Sequence, residues 1–370
     1  MNQSISVIIC TRDRPEYLQE CIASILRQSM RPKEIIVVDD ASKERFDIEL
    51  ILRKAFSFTE KLANLLPIGE IKIKYVRNKH RQGIVKSRNL GIALAKGNVI
   101  AFIDDDGYAH KDWLKNLSKY YQNKYTVGVG GPVVEIGRKI ETRNEIKRLS
   151  YITPHGDIKH NYRIKRIKDV RKLRIAYVRF LMGGNMSFKR DVLMGLNGFN
   201  PQYKGNYYRE ETDMCLRASK SGKVIFEPSA VTYHNTARHG GTRDIVRLDS
   251  FLYWYFRNTV FLFFRNFGLK DAVTKTYRQC KKYIRRARNS TLKVNRDYLT
   301  TSTTLKILLA IITGALAGII IGLVFDKPLK KLVYKNPEYV MLLTILLTGA
   351  TFQIIDSKNI VDVIENVNKA

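Results

Sequence analysis

The chain has 370 residues, enough for one sizeable domain with appendages. Its 65 Lys and Arg against 34 Asp and Glu give a formal net charge of +31 and a pI near 10, which implies an anionic partner: nucleic acid, an anionic membrane surface or phosphorylated substrates. Zinc-finger spacing, an RNP-like aromatic motif and a Gly-Lys-Ser/Thr loop are all missing, which argues against nucleic acid, and Cys10, Cys21, Cys215 and Cys280 fall in no paired spacing and read as reduced, consistent with a cytosol-facing domain.

The chain passes directly into a predicted strand, Ile5 to Cys10, so a cleavable signal peptide is not expected. A helix follows from Pro15 to Gln28, with Pro15 near its start. Glu34 to Asp39 is a buried strand, Ile71 to Val76 another, and Ile84 to about Lys96 a helix closed by Gly97. The apolar run from Asn98 to Ile103 is a fourth strand. It leads into Asp104-Asp105-Asp106 and then Gly107, which frees the backbone to turn. This alternation of strand and helix argues for a parallel, doubly wound sheet that binds ligands at the carboxyl ends of its strands. Asp39-Asp40 and Asp104 to Asp106 both fall at such ends and are expected to converge on one crevice. Three clustered carboxylates repel one another and are costly to desolvate, and a divalent cation relieves both. Hard oxygen ligands suit Mg²⁺ or Mn²⁺, ions that also hold phosphates. The competing reading is an exposed acidic turn.

After a predicted helix from Trp113 to Asn123 the pattern is less regular. The stretch 137–174 carries Lys165, Arg166, Lys168, Arg171, Lys172 and Arg174, either a solvated charge run or a surface for anionic lipid or a pyrophosphate-bearing acceptor. Leu181 to Phe188 (LMGGNMSF) reads as a strand whose double glycine lets something approach the backbone. Glu210 to Lys220 is a helix opening with acids, and Lys223 to Glu227 a strand. From Phe251 to Phe267 aromatics and leucines interleave with Arg257, Asn258, Arg265 and Asn266, a helix suited to the bilayer interface or to packing on the preceding domain.

Two apolar runs, Ile307 to Phe325 and Tyr339 to Ile355, are each about the length needed to span a hydrocarbon core of ~30 Å, the second marginally. Gly314, Gly318 and Gly322 share one face of the first and allow close helix packing. A buried hairpin in a soluble domain is the alternative. Lys275, Arg278, Lys281, Lys282, Arg285, Arg286, Arg288, Lys293 and Arg296 precede the first run and put that side in the cytoplasm, although Lys327, Lys330, Lys331 and Lys335 between the runs pull the other way.

Five segments, in this order, resemble the inverting family 2 glycosyltransferases of the GT-A fold: SVIICTRDRPEYLQECIASILRQS, EIIVVDDAS, GIVKSRNLGIALAKGNVIAFIDDD, GGNMSFKRDVLMGLNGF and REETDMCLRASKSG. The resemblance runs over roughly residues 4 to 235. It implies an α/β domain with a doubly wound mixed sheet, to which the sequence adds a C-terminal transmembrane hairpin. The layout expected is a GT-A catalytic domain over 1–240, a basic and aromatic juxtamembrane helical segment over 241–300, and two spans with a short tail over 301–370. That makes a multi-pass protein of the cell membrane with a cytoplasmic catalytic domain.

The same resemblance implies site residues. Asp104 and Asp106 match a DXD-type motif holding Mn²⁺ or Mg²⁺, Asp106 most directly, with Asp105 on the donor side. Asp40 matches the acid that reads the nucleotide base, with Asp39 in support, and Arg88 a basic residue near the nucleotide. Gly183, Gly184 and Asn185 match a segment lining donor sugar and acceptor. His234 matches a third metal ligand, or is structural. The family's Glu-Asp pair is Glu210-Glu211 here, so Glu211 takes the place of the base that deprotonates the acceptor, with Glu210 or Asp213 as substitutes. All three could instead simply favour a helix N-terminus. The Gln-x-x-Arg-Trp motif of processive synthases is missing, which points to single transfer. The expected partners are a nucleotide-sugar donor, the membrane and a membrane-associated acceptor, a polyprenyl- or dolichyl-linked glycan, and no nucleic acid. A polyprenyl-phosphate glycosyl synthase and a nonenzymatic nucleotide-binding membrane scaffold are the rivals.

Overall fold

The computed structural model describes residues 3–60, 71–136, 150–153, 157–160, 163–164, 170, 173–237, 239–241, 248–268, 271–272, 274–279, 313–315 and 317–318. The chain forms two compact units, Met1–Val246 and Arg247–Ala370.

The first unit opens with β1 (Ile5–Thr11), α1 (Pro15–Leu26), β2 (Glu34–Asp39), α2 (Ile48–Glu60), β3 (Lys72–Arg77), α3 (Ile84–Leu94) and β4 (Val99–Asp104). These strands pair in parallel in the order β4-β1-β2-β3. The inner three are apolar on both faces because helices cover both sides of the sheet. Ile5, Val7 and Ile9 of β1 join Ile35 and Val37 of β2, Val99, Ala101 and Ile103 of β4, and Leu18, Ile22 and Ile25 of α1 in one buried cluster. The alternate residues Ile8, Ile36, Val38, Ile100 and Phe102 are buried on the opposite face. At the edge, β3 exposes Lys72 and Lys74, which discourages pairing with another strand.

The chain continues with β5 (Gly107–Ala109), α4 (Trp113–Ser118), β6 (Thr126–Gly130), β7 (Val133–Glu135), β8 (Ser150–Ile152), β9 (Ile158–His160), β10 (Arg163–Ile164), β11 (Ala176–Tyr177), β12 (Met186–Lys189), α5 (Arg190–Gly195), α6 (Glu210–Ala218), β13 (Lys223–Phe226) and β14 (Thr232–His234). The main sheet becomes eight-stranded and mixed, β11-β13-β6-β12-β4-β1-β2-β3, with β12 antiparallel to both β4 and β6. A second sheet, β10-β7-β14-β5, sets His234 opposite both Gly107 and Glu135.

Several predicted boundaries move. The first helix ends at Leu26, short of Gln28. The α3 helix ends at Leu94, where Ala95 turns extended and its N–H still reaches the Gly91 carbonyl, so Gly97 lies beyond the end and does not close it. The helix predicted to Asn123 stops at Ser118. The chain turns there to bring the buried Tyr121 hydroxyl to Ser187 Oγ at 2.7 Å and the Tyr120 hydroxyl to the Glu227 carboxylate. Of the predicted strand Leu181 to Phe188, only the part from Met186 is strand. Its first half is a turn closed by the Asn185 N–H on the Met182 carbonyl at 3.0 Å.

In the second unit, α7 (Leu248–Phe267) buries Arg257, Asn258 and Thr259. The Arg257 guanidinium donates to Asn258 Oδ1 at 2.7 Å and lies over the Trp254 and Phe261 rings. A side chain at Gly314 or Gly318 would collide with the Tyr253 or Arg257 carbonyl of α7, the close helix approach that their spacing allows. No described helix is long and apolar enough to cross a membrane. The spans predicted at 307–325 and 339–355 lie outside the described residues, apart from 313–315 and 317–318.

Candidate active site

The three aspartates at the end of β4 have different surroundings. Asp105 turns inward, where Thr11 Oγ1 donates to its Oδ2 at 2.8 Å and Arg14 Nη1 to its Oδ1 at 2.8 Å. Burial pushes its carboxyl up, to about 6, against the pull of Arg14. It is a structural anchor for the β1–α1 turn and does not line the cleft. Asp106 accepts the Ala237 N–H at 3.1 Å and lies 3.1 Å from His234 Nε2. Burial opposes its ionisation, but His234 and Arg14 outweigh it and hold the carboxyl well below the usual carboxylate range. Asp104 is the most open of the three and meets Arg88 Nη2 at 3.4 Å.

His234 stands between two acids, with Nδ1 3.0 Å from Glu135 Oε2 and Nε2 facing Asp106. Burial alone would lower its pKa. The hydrogen bonds to Asp106 and Glu135 outweigh burial and raise it to about 9.

One ligand atom each from Asp104, Asp106 and His234 lie within 4.8 Å of one another. Two ligands on opposite sides of a Mg²⁺-sized ion, each about 2.1 Å away, stand roughly 4.2 Å apart. Neighbouring ligands of such an ion stand about 3.0 Å apart, so modest side-chain shifts would gather the trio on one ion. Two carboxylates suit either Mn²⁺ or Mg²⁺, and the imidazole favours the transition metal, Mn²⁺. Glu135 fits the same purpose, because a carboxylate on Nδ1 fixes the tautomer that leaves Nε2 for a metal.

Arg88 is the hub of the cleft. It is buried, donates to Glu210 Oε1 through Nη1, reaches Asp104 Oδ1 and the Gly183 carbonyl through Nη2, and lies over the Phe199 ring. The double glycine explains itself here. A Cβ on Gly183 would sit 2.9 Å from Arg88 Nη2, and one on Gly184 2.7 Å from Asp104 Oδ2. Asn185, predicted to line the donor sugar, faces away. Its amide receives Trp113 Nε1 at 2.9 Å and donates to the Pro132 and Ala230 carbonyls, all buried, so it braces the glycine turn from behind.

The three acids of α6 also differ. Glu210 is buried against Arg88, and its Oε2 has no hydrogen-bond partner among the described residues. Burial pushes its carboxyl up and Arg88 pulls it down. Arg88 is itself held protonated by Glu210 and Asp104 against its own burial. Burial is the larger of the two effects on Glu210 and raises its carboxyl to about 8, while the guanidinium keeps its proton throughout. Asp213 is wholly buried and receives Arg217 Nε at 2.7 Å, while Arg217 also donates to the Leu196 and Gly198 carbonyls. It holds α6 to the preceding loop. Glu211 is half-buried and makes no hydrogen bond or ion pair with a described residue, which leaves its carboxylate available to an incoming proton.

Asp39 and Asp40 end β2, on the other side of β1 from Asp104. Strands ~4.8 Å apart put the two acid groups about 10 Å from each other at one end of the sheet. Asp39 is wholly buried and engaged by the Ser42 N–H and hydroxyl, the Tyr75 hydroxyl and, at 3.7 Å, the Arg77 guanidinium. Asp40 accepts Asn78 Nδ2 and the Gln82 N–H on Oδ1, and the Gly83 N–H on Oδ2, so it organises the start of α3. A carboxylate takes about four hydrogen bonds, which leaves Asp40 room for one more.

Arg14 and Glu135 were not singled out from the sequence. Arg14 precedes the helix-starting Pro15 at the carboxyl end of β1, the signal that could have found it. Glu135 ends the apolar pair Val133-Val134, an acid at the close of a buried strand.

Residues 6–196 match the family described as glycosyl transferase family 2. A glucosyl-dolichyl phosphate glucuronosyltransferase of Haloferax volcanii is 30% identical over 285 residues, 72% of this chain and 82% of that protein. A chondroitin synthase of Escherichia coli is 29% identical over 252 residues, 62% of this chain and 34% of that protein. Among solved structures, S. aureus TarS 1-349 in complex with UDP-GlcNAc shares the fold with a TM-score of 0.53 at 14% identity, over 95% of this chain and 92% of that one.

Proposed function

The chain belongs to glycosyl transferase family 2, and on that premise we propose that it is a metal-dependent, inverting enzyme acting on a membrane-associated acceptor. The donor is a nucleotide sugar, and the acceptor a polyprenyl- or dolichyl-linked glycan. The observation that carries this reading is the gathering of Asp104, Asp106 and His234, with Arg88 tying Asp104 to Glu210, the residue before Glu211.

Asp104, Asp106 and His234 would hold the cation, and Glu135 orients His234 for it. A bound divalent ion neutralises charge that builds on a diphosphate leaving group. Arg88, fixed by Glu210, adds a permanent positive charge at Asp104 and anchors the glycine turn. Asp40 has one acceptor site left for the nucleotide base. Glu211 takes the proton of the acceptor hydroxyl, so that its oxygen attacks the sugar in line.

The lipid-linked acceptor is supported by the relative named for a glucosyl-dolichyl phosphate. With such an acceptor, confinement to the bilayer surface raises effective concentration. We accordingly place the protein in the cell membrane through the apolar runs 307–325 and 339–355, with the catalytic domain 1–240 on the cytoplasmic side and 241–300 as the juxtamembrane segment.

The test uses membranes from cells expressing the full chain, supplied with dolichyl phosphate glucose, dolichyl phosphate, Mn²⁺ and a panel of UDP- and GDP-sugars. Mass spectrometry should find the glucose-bearing lipid extended by one sugar. A product on bare dolichyl phosphate alone would instead indicate a polyprenyl-phosphate glycosyl synthase, and the absence of any sugar-dependent product would leave only a scaffold. Retention of the chain in the membrane after alkaline carbonate extraction tests the location.

A further inference from the structure

Between α5 and α6 the backbone does something that side chains resist. Tyr207 and Arg209, both bulky, hold left-handed φ values of 54° and 79° immediately before Glu210 and Glu211. Such conformations persist only where the surroundings over-determine them, and an observed outlier is a reason to look for a function.

The surroundings of Tyr207 are specific. Its hydroxyl occupies the space where residue 83 would carry a Cβ, so the ring tip seats directly on Gly83. Gly83 itself has φ 82° and begins α3, and its N–H is held by Asp40 Oδ2 at 2.8 Å. The charges of Asp40, Arg81 and Arg12 all reach the Tyr207 hydroxyl, which puts the ring at the Asp40 side of the cleft. The same residue's carbonyl accepts the Glu210 N–H at 3.3 Å, at the opening of α6. One residue therefore touches both banks of the cleft, through its ring on one side and its backbone on the other.

We propose that Tyr207 is a positioning residue that fixes the helix carrying Glu211 against the Asp40–Gly83 edge, so that the acceptor base is set in register with the bound donor. The inference rests on the reading of this cleft as a glycosyl-transfer centre. The left-handed backbone aims the ring across the cleft, and glycine at 83 is the socket that receives it. A carboxylate that must meet an acceptor hydroxyl within hydrogen-bond reach gains from such bracing, because a misplacement of ~1 Å lowers rate by up to about 10²-fold.

The experiment compares full-length wild type, Tyr207→Asn and Tyr207→Phe in detergent. Asparagine tolerates the left-handed backbone and removes the ring, whereas phenylalanine keeps the ring. Turnover is measured with dolichyl phosphate glucose and whichever of UDP-glucuronic acid, UDP-GlcNAc, UDP-glucose or GDP-mannose the wild type uses. Tyr207→Asn should lower kcat by about 10-fold or more with donor KM little changed and Tm no lower, and Tyr207→Phe should recover most of the turnover. A wild-type kcat in Tyr207→Asn, a fall that merely follows Tm, or equal damage in both variants would overturn the proposal. If the wild type uses none of the four sugars, the proposed function fails by itself. Hydrogen exchange of the unliganded chain then decides: faster exchange over residues 207–213 of Tyr207→Asn with β1 and β4 unchanged supports the bracing role, and equal exchange overturns it.

Discussion

Arg88 and Glu210, 122 residues apart in the sequence, form a buried ion pair that fastens α3 to the first residue of α6. The same guanidinium reaches Asp104, so one cation stands between the acids of the β4 end and the helix of the candidate base. Buried pairs of this kind are costly to break from one side, because the remaining charge has no partner.

Replacement of Arg88 by Met should therefore destabilise the protein by about 3–5 kcal/mol. Arg88→Lys should recover little, since an ammonium cannot serve Glu210, Asp104 and the Gly183 carbonyl with one planar fork. The midpoint of urea unfolding checks both, and an unchanged midpoint in Arg88→Met would show that the pair contributes nothing.

Glu135 touches no expected ligand position and acts on His234. Glu135→Gln should weaken Mn²⁺ binding by roughly 10–100-fold, the usual effect of removing the partner of a metal-binding histidine. His234→Ala and Asp106→Asn should weaken it further. Calorimetric titration of the unliganded protein with Mn²⁺ gives the affinities; a Glu135→Gln variant that binds like wild type would make Glu135 a bystander.

Asp105 should separate from its neighbours. Asp105→Asn should lower Tm, because Arg14 loses the charge it is buried against, yet leave Mn²⁺ affinity close to that of wild type. Loss of Mn²⁺ binding at an unchanged Tm would reverse this assignment and make Asp105 a ligand.

For the base, Glu211→Gln keeps shape and removes basicity, and kcat should fall roughly 10²-fold or more with little change in donor affinity. Glu211→Asp should keep part of the turnover. Asp213→Asn should act on stability instead, through Arg217. Normal turnover by Glu211→Gln beside an inactive, stably folded Glu210→Gln would move the base one residue back.

In the parallel half of the sheet, β1, β2 and β4 were legible as continuous apolar runs, two of them ended by acids, because burial on both faces leaves that pattern, and β3 was legible from lysines alternating with Ile73 and Tyr75. The strands β5, β7 and β11 were not, since two or three residues carry no period to read. The residues alone showed the acids as a group, and it was the resemblance that set Asp104 and Asp106 apart from Asp105. Asp105 and Asp106 are adjacent and chemically identical, and only the folded chain directs one to Thr11 and Arg14 and the other to His234. Asn185 misled for a similar reason: its place beside two glycines in the turn says nothing of the buried carbonyls it serves. The left-handed conformations of Tyr207 and Arg209 had no signal at all, because the residues that favour them are Gly and Asn.

The contact between Asp106 and His234 joins residues 128 positions apart, and it has a consequence for the order of assembly. Pairings of such separation form late, after local helices and the neighbouring strands have already condensed. A ribosome-bound chain that has not yet emerged to β14 can close β1 to β4 and still lack the histidine side of the ion site. The complete three-residue ion site then exists only in the finished domain, where a bound ion adds stability by mass action. A premature stop just before β14 would be a sensitive probe of this sequence of events, since it leaves the parallel strands entire and removes only the histidine side of the ion site.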